Sequence, residues 1–213
     1  MGLSSFYTDS SGKKIPCLKS LRKSEKRLKQ LQKRLSRKKK GSRNRRKARV
    51  RLVRRHLKVS RQRKDFAAKA ASALVRSNDL IAYEQLQVKN MVKNHCLAKS
   101  IHDAAWSGFL SWVNYYGKVF GKVIVAVPPA FTSQECSDCG WRVKIGLEIR
   151  IYRCPNCGWV MDRDHNAARN ILQKGLLLLS NDTVGHTEIG EVHLPNAWGE
   201  SASRVSRSSP LPS

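Results

Sequence analysis

Two Cys-x-x-Cys-Gly units, Cys136 and Cys139 before Gly140 and Cys154 and Cys157 before Gly158, constrain this chain more than any other feature. A two-residue spacing lets both sulfurs of a unit converge on one ion. The glycine permits the tight turn that aims backbone amides at sulfur. Fourteen residues separate the units, slightly under the common four-cysteine spacing, which ribbon loops tolerate. In a long basic chain without a leader, such pairs point to a metal site rather than to disulfides. The expectation is one structural Zn²⁺ held by Cys136, Cys139, Cys154 and Cys157. Four thiolates leave no coordination position for water, so the ion organises the fold and does not catalyse. Cys17 and Cys96 stand apart and read as ordinary thiols.

Charge is the second constraint. The chain carries +27, and the stretch from Lys19 to Lys64 alone has 24 basic residues against one acid, Glu25, a net +23. A block of that density repels itself unless a polyanion neutralises it, and the counterions it displaces drive the association. DNA and RNA are the expected partners. No run approaches the roughly 18 to 20 apolar residues needed to cross a bilayer, so no membrane partner and a cytoplasmic location are expected.

Periodicity organises the rest. The LSSFYT segment running into Ser10, Ser11 and Gly12 reads as one hairpin of a sheet. Leu28, Leu31 and Leu35, then Val50, Val53 and Leu57, recur at helical spacing on either side of a Lys-Gly-Ser-Arg-Asn break at 40–44, predicting two basic amphipathic helices. The second runs on through Phe66, Ala67, Ala70 and Leu74 until Asn78 and Asp79 interrupt it. Leu80 to Glu84 (LIAYE) has strand length and delivers a carboxylate to the strand's exposed end. A helix is expected from Ala98 to Tyr116 with Ile101, Ala105, Phe109, Trp112 and Tyr116 as its apolar stripe. A β-branched strand follows at Lys122 to Val127, closed by Pro128 and Pro129. After the cysteines, Asn166 to Leu179 is helix-like, and 180–213 has the composition of a disordered tail. His56, His95 and His102 read as surface groups and Trp106 and Trp112 as core. Trp141 and Trp159 are placed to shield the metal or to stack on a base.

Asp164, in the run MDRDHNAARN, falls at the start of the last helix, where a carboxylate can simply cap exposed amides. Glu84 can likewise be a solvated strand end. Taken together, two carboxylates at strand and helix ends beside a nucleic-acid-binding block are what a two-metal phosphodiester-cleaving site requires.

The segments PPAFTSQECSDCGW and YRCPNCGWVMDRDHNAARNIL resemble the C-terminal part of the TnpB (OrfB) insertion-sequence proteins, relatives of the type V CRISPR effectors. GLSSFYTDSSG, the basic helical pair, IAYEQLQVKNM and KSIHDAAW follow in that family's order, so the resemblance spans about Gly2 to Trp198. It implies an α/β fold: an incomplete RNase H-like (RuvC) domain with a basic helical hairpin and an inserted four-cysteine zinc ribbon. The expected division is 1–127 for the partial nuclease region with its hairpin at 19–77, 128–163 for the ribbon, 164–179 for the last helix and 180–213 for the tail. It further implies an RNA-guided DNA endonuclease whose partners are guide RNA and target DNA and whose active site takes Mg²⁺. Glu84 matches the family's catalytic glutamate and Asp164 its last catalytic aspartate. Arg163 and Asn166 match supports of that site.

One departure bears on activity. The family's first catalytic aspartate lies in a D-x-G-L stretch on the central strand, and here Gly2-Leu3 follows directly on Met1. Asp9 aligns with the second strand and its turn and is no substitute. Cleavage impaired by loss of the bridging ligand is therefore expected. Two alternatives stand beside it: a non-enzymatic nucleic-acid-binding regulator, and a decayed or misannotated fragment of a full-length active nuclease.

Overall fold

The computed structural model describes residues 1–2, 4–146 and 148–182, so nearly all of the expected tail lies outside the described residues. The chain opens with an antiparallel hairpin of β1 (Ser5–Thr8) and β2 (Lys14–Pro16). Asp9 builds its turn: Oδ1 accepts from the backbone N of Ser11 at 3.0 Å and of Lys13 at 2.9 Å, and from the Ser11 hydroxyl at 2.6 Å. That carboxylate is thus committed to local structure.

Two long helices follow, α1 (Ser20–Ser36) and α2 (Arg43–Arg76). Ser42 caps α2 by accepting from the Arg45 amide at 3.2 Å, while the Arg45 guanidinium donates to the Leu35 and Lys38 carbonyls at 3.2 and 2.9 Å. One turn thereby satisfies the end of one helix and the start of the next. The helices meet through Leu28, Leu31, Leu52 and Val59. Val50, Val53 and Leu57, the stripe read from periodicity, lie outside at 42%, 56% and 44% exposure. Leu52 and Val59 are also one heptad apart, so α2 carries two apolar rows, and α1 is wide enough to cover one of them.

The N-terminus of α1 has no cap of its own: Lys19 precedes it in the left-handed region with no side-chain cap bond. Asp103, at the far end of α4 (His95–Ala104), supplies one from a distance. Its carboxylate accepts from the Leu21 and Arg22 amides at 2.8 and 3.2 Å and pairs with Arg63 of α2 at 3.2 Å. A single buried carboxylate therefore ties α1, α2 and α4 together.

β3 (Leu80–Glu84) and β4 (Val123–Val127) pair in parallel, with Leu80 opposite Val123 and Glu84 opposite Val127. The short α3 (Val88–Met91), then α4 and α5 (Trp106–Val119), make the crossover. The single helix expected over 98–116 is broken at Ala105, whose φ of 55° turns the chain. That break lets Ile101 and Trp106 both enter the core, and it moves Trp112 and Tyr116 to its rim. Helices cover both faces of the pair. On one side α2 and α5 pack with Phe6, Ile81, Phe109 and Val113, and on the other lies α6 (Arg163–Asp182). The fit is close, for a Cβ built on Gly175 of α6 would lie 2.6 Å from the Ala82 Cβ, and one on Gly117 of α5 would lie 2.4 Å from Ile124. Among the described residues no helix is long and apolar enough to cross a membrane.

Asp103→Ala should cost about 2–4 kcal/mol in urea unfolding, because it leaves two helix-end amides and a half-buried guanidinium without their anion. Asp103→Asn, which keeps the acceptor oxygen, should cost less.

Candidate metal centre and acidic cleft

Between β4 and α6 the chain inserts a small ribbon whose hairpin is β5 (Ile151–Arg153) and β6 (Val160–Asp162). Its two knuckles repeat one geometry. The Cys136 amide donates to the Trp141 carbonyl at 2.9 Å and Gly140 N to the Cys136 carbonyl at 3.0 Å. Cys154 with Trp159, and Gly158 with Cys154, do the same at 2.9 and 3.1 Å. Gly140 and Gly158 turn the knuckles at φ of 75° and 72°.

The sulfurs of Cys136, Cys139, Cys154 and Cys157 consequently lie within 4.8 Å of one another. The Cys136–Cys157 and Cys139–Cys154 separations are 3.7 and 3.6 Å. Bonds of about 2.3 Å to a tetrahedral centre put sulfurs about 3.8 Å apart, so this quartet could hold one metal ion. Four thiolates this close also resist ionising together. The Trp141 amide, helped by the Asn156 side chain, holds Cys139 down at about 6. Cys157, although the Trp159 amide pulls it the same way, is pushed up to about 12 by lost solvent and the other sulfurs. A bound dication removes that conflict.

Tyr152 is the ribbon's pillar, and nothing in the spacing singled it out. It is fully buried beside Cys136 and Cys154, and its hydroxyl donates to the Gln134 and Trp141 carbonyls at 3.2 Å each. Burial, with the four sulfurs, raises the phenol to about 12, which keeps that proton in place. The two tryptophans divide: Trp159 packs on the cysteine cluster under Arg169, whereas Trp141 stays 54% exposed.

α6 receives the ribbon through two buried amides one turn apart. Asn166 accepts from the Ser137 amide at 2.9 Å and donates to the Glu135 carbonyl at 2.7 Å. Asn170 donates to the Thr132 and Glu135 carbonyls at 2.9 and 2.7 Å. Arg163 holds the other side by donating to the Gly146 carbonyl at 3.0 Å.

Glu84 sits half-buried at the end of β3, with Oε1 accepting from the Thr132 hydroxyl at 2.5 Å. Thr132 is itself 2% exposed and offers its carbonyl to Asn170, so a short hydrogen-bonded chain runs from Glu84 to α6. Asp164 lies in the first turn of α6. A cleft of about 120 Å³ runs along β3 and α6 and is lined by Glu84 and by Ala168, Ile171 and Leu172. Asp164 precedes Ala168 by one turn and so continues the helix face that lines the cleft.

Asp162 is the cap that the sequence suggested for Asp164. Its Oδ1 accepts from the Asp164 and His165 amides at 3.0 and 3.2 Å, and its Oδ2 pairs with Lys14 of β2 at 2.6 Å. The hairpin tip closes on the same turn: His165 Nε2 lies 3.0 Å from the Ser10 carbonyl, and a Cβ on Gly12 would lie 2.9 Å from His165 Nδ1. Asp164 is thereby free of the capping duty.

Away from these sites, Arg34, Arg37, Lys38, Lys47 and Arg51 line a separate cleft of about 590 Å³ between α1 and α2. Its cations converge from two helices, the arrangement a phosphate backbone neutralises.

Comparison with known proteins covers both parts of the chain. A family model described as a probable transposase, OrfB of the IS605 kind, matches residues 1–95, and the Cas12f1-like TNB domain matches 106–171. A Streptomyces pristinaespiralis protein named as a candidate RNA-guided DNA endonuclease is 42% identical over 177 residues, covering 82% of this chain and 44% of that protein. The Escherichia coli K12 protein InsQ, named likewise, is 33% identical over 195 residues, covering 84% and 48%. The chain thus spans under half the length of these curated relatives. A chain of the Cas12f1–sgRNA–target DNA complex superposes with a TM-score of 0.52 at 19% identity, over 75% of this chain and 43% of that one.

Asp162 should matter to pH as well as to stability. Burial works to raise its carboxyl, but Lys14 and the α6 amides outweigh that and hold it below its ordinary value. A depressed carboxylate stabilises above its unfolded value and loses that contribution as pH falls through the folded one. Asp162→Ala should therefore lower unfolding stability by about 1 kcal/mol at neutral pH. The difference between wild type and variant should shrink below the usual carboxylate range.

Proposed function

The chain belongs to the TnpB (OrfB) family of insertion-sequence proteins, and from that premise we propose that it is the nucleic-acid-binding and partial nuclease portion of an RNA-guided DNA endonuclease. In this reading the basic helices lie along guide RNA and its heteroduplex with target DNA. Cys136, Cys139, Cys154 and Cys157 hold one structural Zn²⁺. The observation that supports the reading is Glu84 lining a cleft between β3 and α6, with Asp164 in the first turn of that helix, in a chain that two family models match over 1–95 and 106–171.

Glu84 and Asp164 supply anionic oxygens suited to a hard cation, and Thr132 holds Glu84 by donating to its Oε1. The two carboxylates would hold Mg²⁺, which would supply water activation and charge stabilisation for phosphodiester cleavage. Glu84 and Asp164 are the two carboxylates that the family resemblance points to, while Asp9, which also borders the cleft, holds its turn through Oδ1. A polypeptide of these 213 residues should therefore bind nucleic acid well and cut it weakly. The alternative, a regulator that only binds, differs in one respect: its carboxylates are dispensable for every activity.

Purified protein should contain one Zn²⁺ per chain by elemental analysis. Cys154→Ser should lose it together with ribbon folding, a contribution on the order of 10 kcal/mol. Absence of stoichiometric metal overturns the zinc assignment. RNA and DNA binding should weaken steeply with salt, and replacing Arg34, Arg37, Lys47 and Arg51 by alanine should flatten the slope by about 0.7–0.9 per lost phosphate contact. Glu84→Ala and Asp164→Ala should leave that binding intact and abolish any residual Mg²⁺-dependent cutting. Unchanged cutting in both variants overturns the carboxylate assignment.

A further inference from the structure

The loop between β4 and the first cysteine knuckle is held far more tightly than a simple connection needs. Phe131 takes a φ of 63°, a left-handed conformation that a bulky side chain rarely adopts. Its carbonyl accepts from both the Gln134 and Glu135 amides, at 2.8 and 3.1 Å, and the Arg142 guanidinium stacks on its ring 3.0 Å from the centroid. From α6, Lys174 donates to the Ala130 carbonyl at 3.2 Å and Asn170 to the Thr132 carbonyl at 2.9 Å. Backbone strain of this kind persists only where the surroundings over-determine it, and it gathers at working sites.

What this clamp delivers to β3 is one hydroxyl. Thr132 is buried, and its Oγ1 has a single proton to give. Two acceptors lie within reach: the Pro129 carbonyl at 3.4 Å and Glu84 Oε1 at 2.5 Å. The second distance is that of a hydroxyl donating to an ionised carboxylate, so the proton goes to Glu84. Glu84 borders the cleft and Thr132 does not, so the carboxylate is held from the loop side while the cleft side stays open. Among the described residues Oε2 accepts no hydrogen bond. A glutamate left to itself samples rotamers about three bonds, and any ligand must stop that motion. One that is already held has less freedom to lose.

We propose that Thr132 is a positioning residue for Glu84: its buried hydroxyl, locked in place by the loop and by α6, orders the carboxylate at the end of β3 before a divalent cation arrives. The role rests on the reading of Glu84 as a cation ligand, and it belongs to a side chain that need touch neither the cation nor the phosphodiester. Threonine is β-branched and therefore restricted at χ1, which suits a group that must hold another still.

The test uses the full chain with Mn²⁺ as the probe, its binding read by water-proton relaxation. Thr132→Val keeps the shape and removes the proton, and should weaken Mn²⁺ binding by about tenfold or more. Thr132→Ser keeps the donor and should stay close to wild type. In a Glu84→Ala background, Thr132→Val should change nothing further. Without metal, the three-bond couplings of the Glu84 side chain should report one dominant rotamer in wild type and averaging in Thr132→Val. Binding that needs Glu84 yet ignores Thr132→Val overturns the positioning role alone, and so does a loss that Thr132→Ser shares, since shape and not the donated proton then matters. Wild type that binds no Mn²⁺, or binding that Glu84→Ala leaves unchanged, overturns the cation reading of Glu84 and this role with it. If Thr132→Val fails to fold, the wild-type couplings still decide: averaged rotamers at Glu84 overturn the role.

Discussion

The closeness of α6 to β3 is the contact on which the other arrangements depend. Gly175 leaves no room for a side chain above Ala82, so the helix axis is fixed relative to the strand by backbone and not by adjustable side chains. Everything α6 carries inherits that position. Its start is capped by Asp162, which Lys14 ties to the β1–β2 hairpin, and its next two turns present Asn166 and Asn170 to the ribbon. Hairpin, ribbon and sheet are therefore referenced to one helix.

This explains how the small cysteine ribbon can matter to a cleft it does not line. The knuckle that carries Cys136 is held by Asn166 and Asn170, and the loop leading into it carries Thr132. Thr132 in turn donates to Glu84. A metal that fixes the knuckle thus restricts the loop, and the loop restricts the carboxylate. The coupling runs through three hydrogen bonds and one buried hydroxyl, with no need for the ion itself to approach the cleft.

Legibility in the sequence followed the range of the interaction. The knuckles were readable because both sulfurs and the glycine lie within five residues, and LIAYE was readable because strand length and a terminal carboxylate are local properties. Asp103, Thr132 and Asn170 were not readable as anchors, since each meets its partner tens of residues away and no spacing rule connects them. Asn166 was named only through the family resemblance. The misreading of Val50, Val53 and Leu57 has a similar origin: α2 has two apolar rows of equal periodic quality, and the choice between them belongs to α1. The break at Ala105 is likewise imposed by packing, for alanine is the best helix former and no local signal opposes continuation there.

The distribution of charge keeps the basic helices apart from the sheet. The +23 segment projects as a helical pair whose contacts with the rest run through Asp103, Arg63 and the α1 start, so its self-repulsion is borne away from the sheet. The β3–β4 pair lies instead between α5 and α6, covered on both faces. A polyanion can neutralise the first without touching the second. Folding of the sheet and neutralisation of the basic pair are then separable demands on this sequence, with α6 packed on β3 and carrying Asp164 in its first turn.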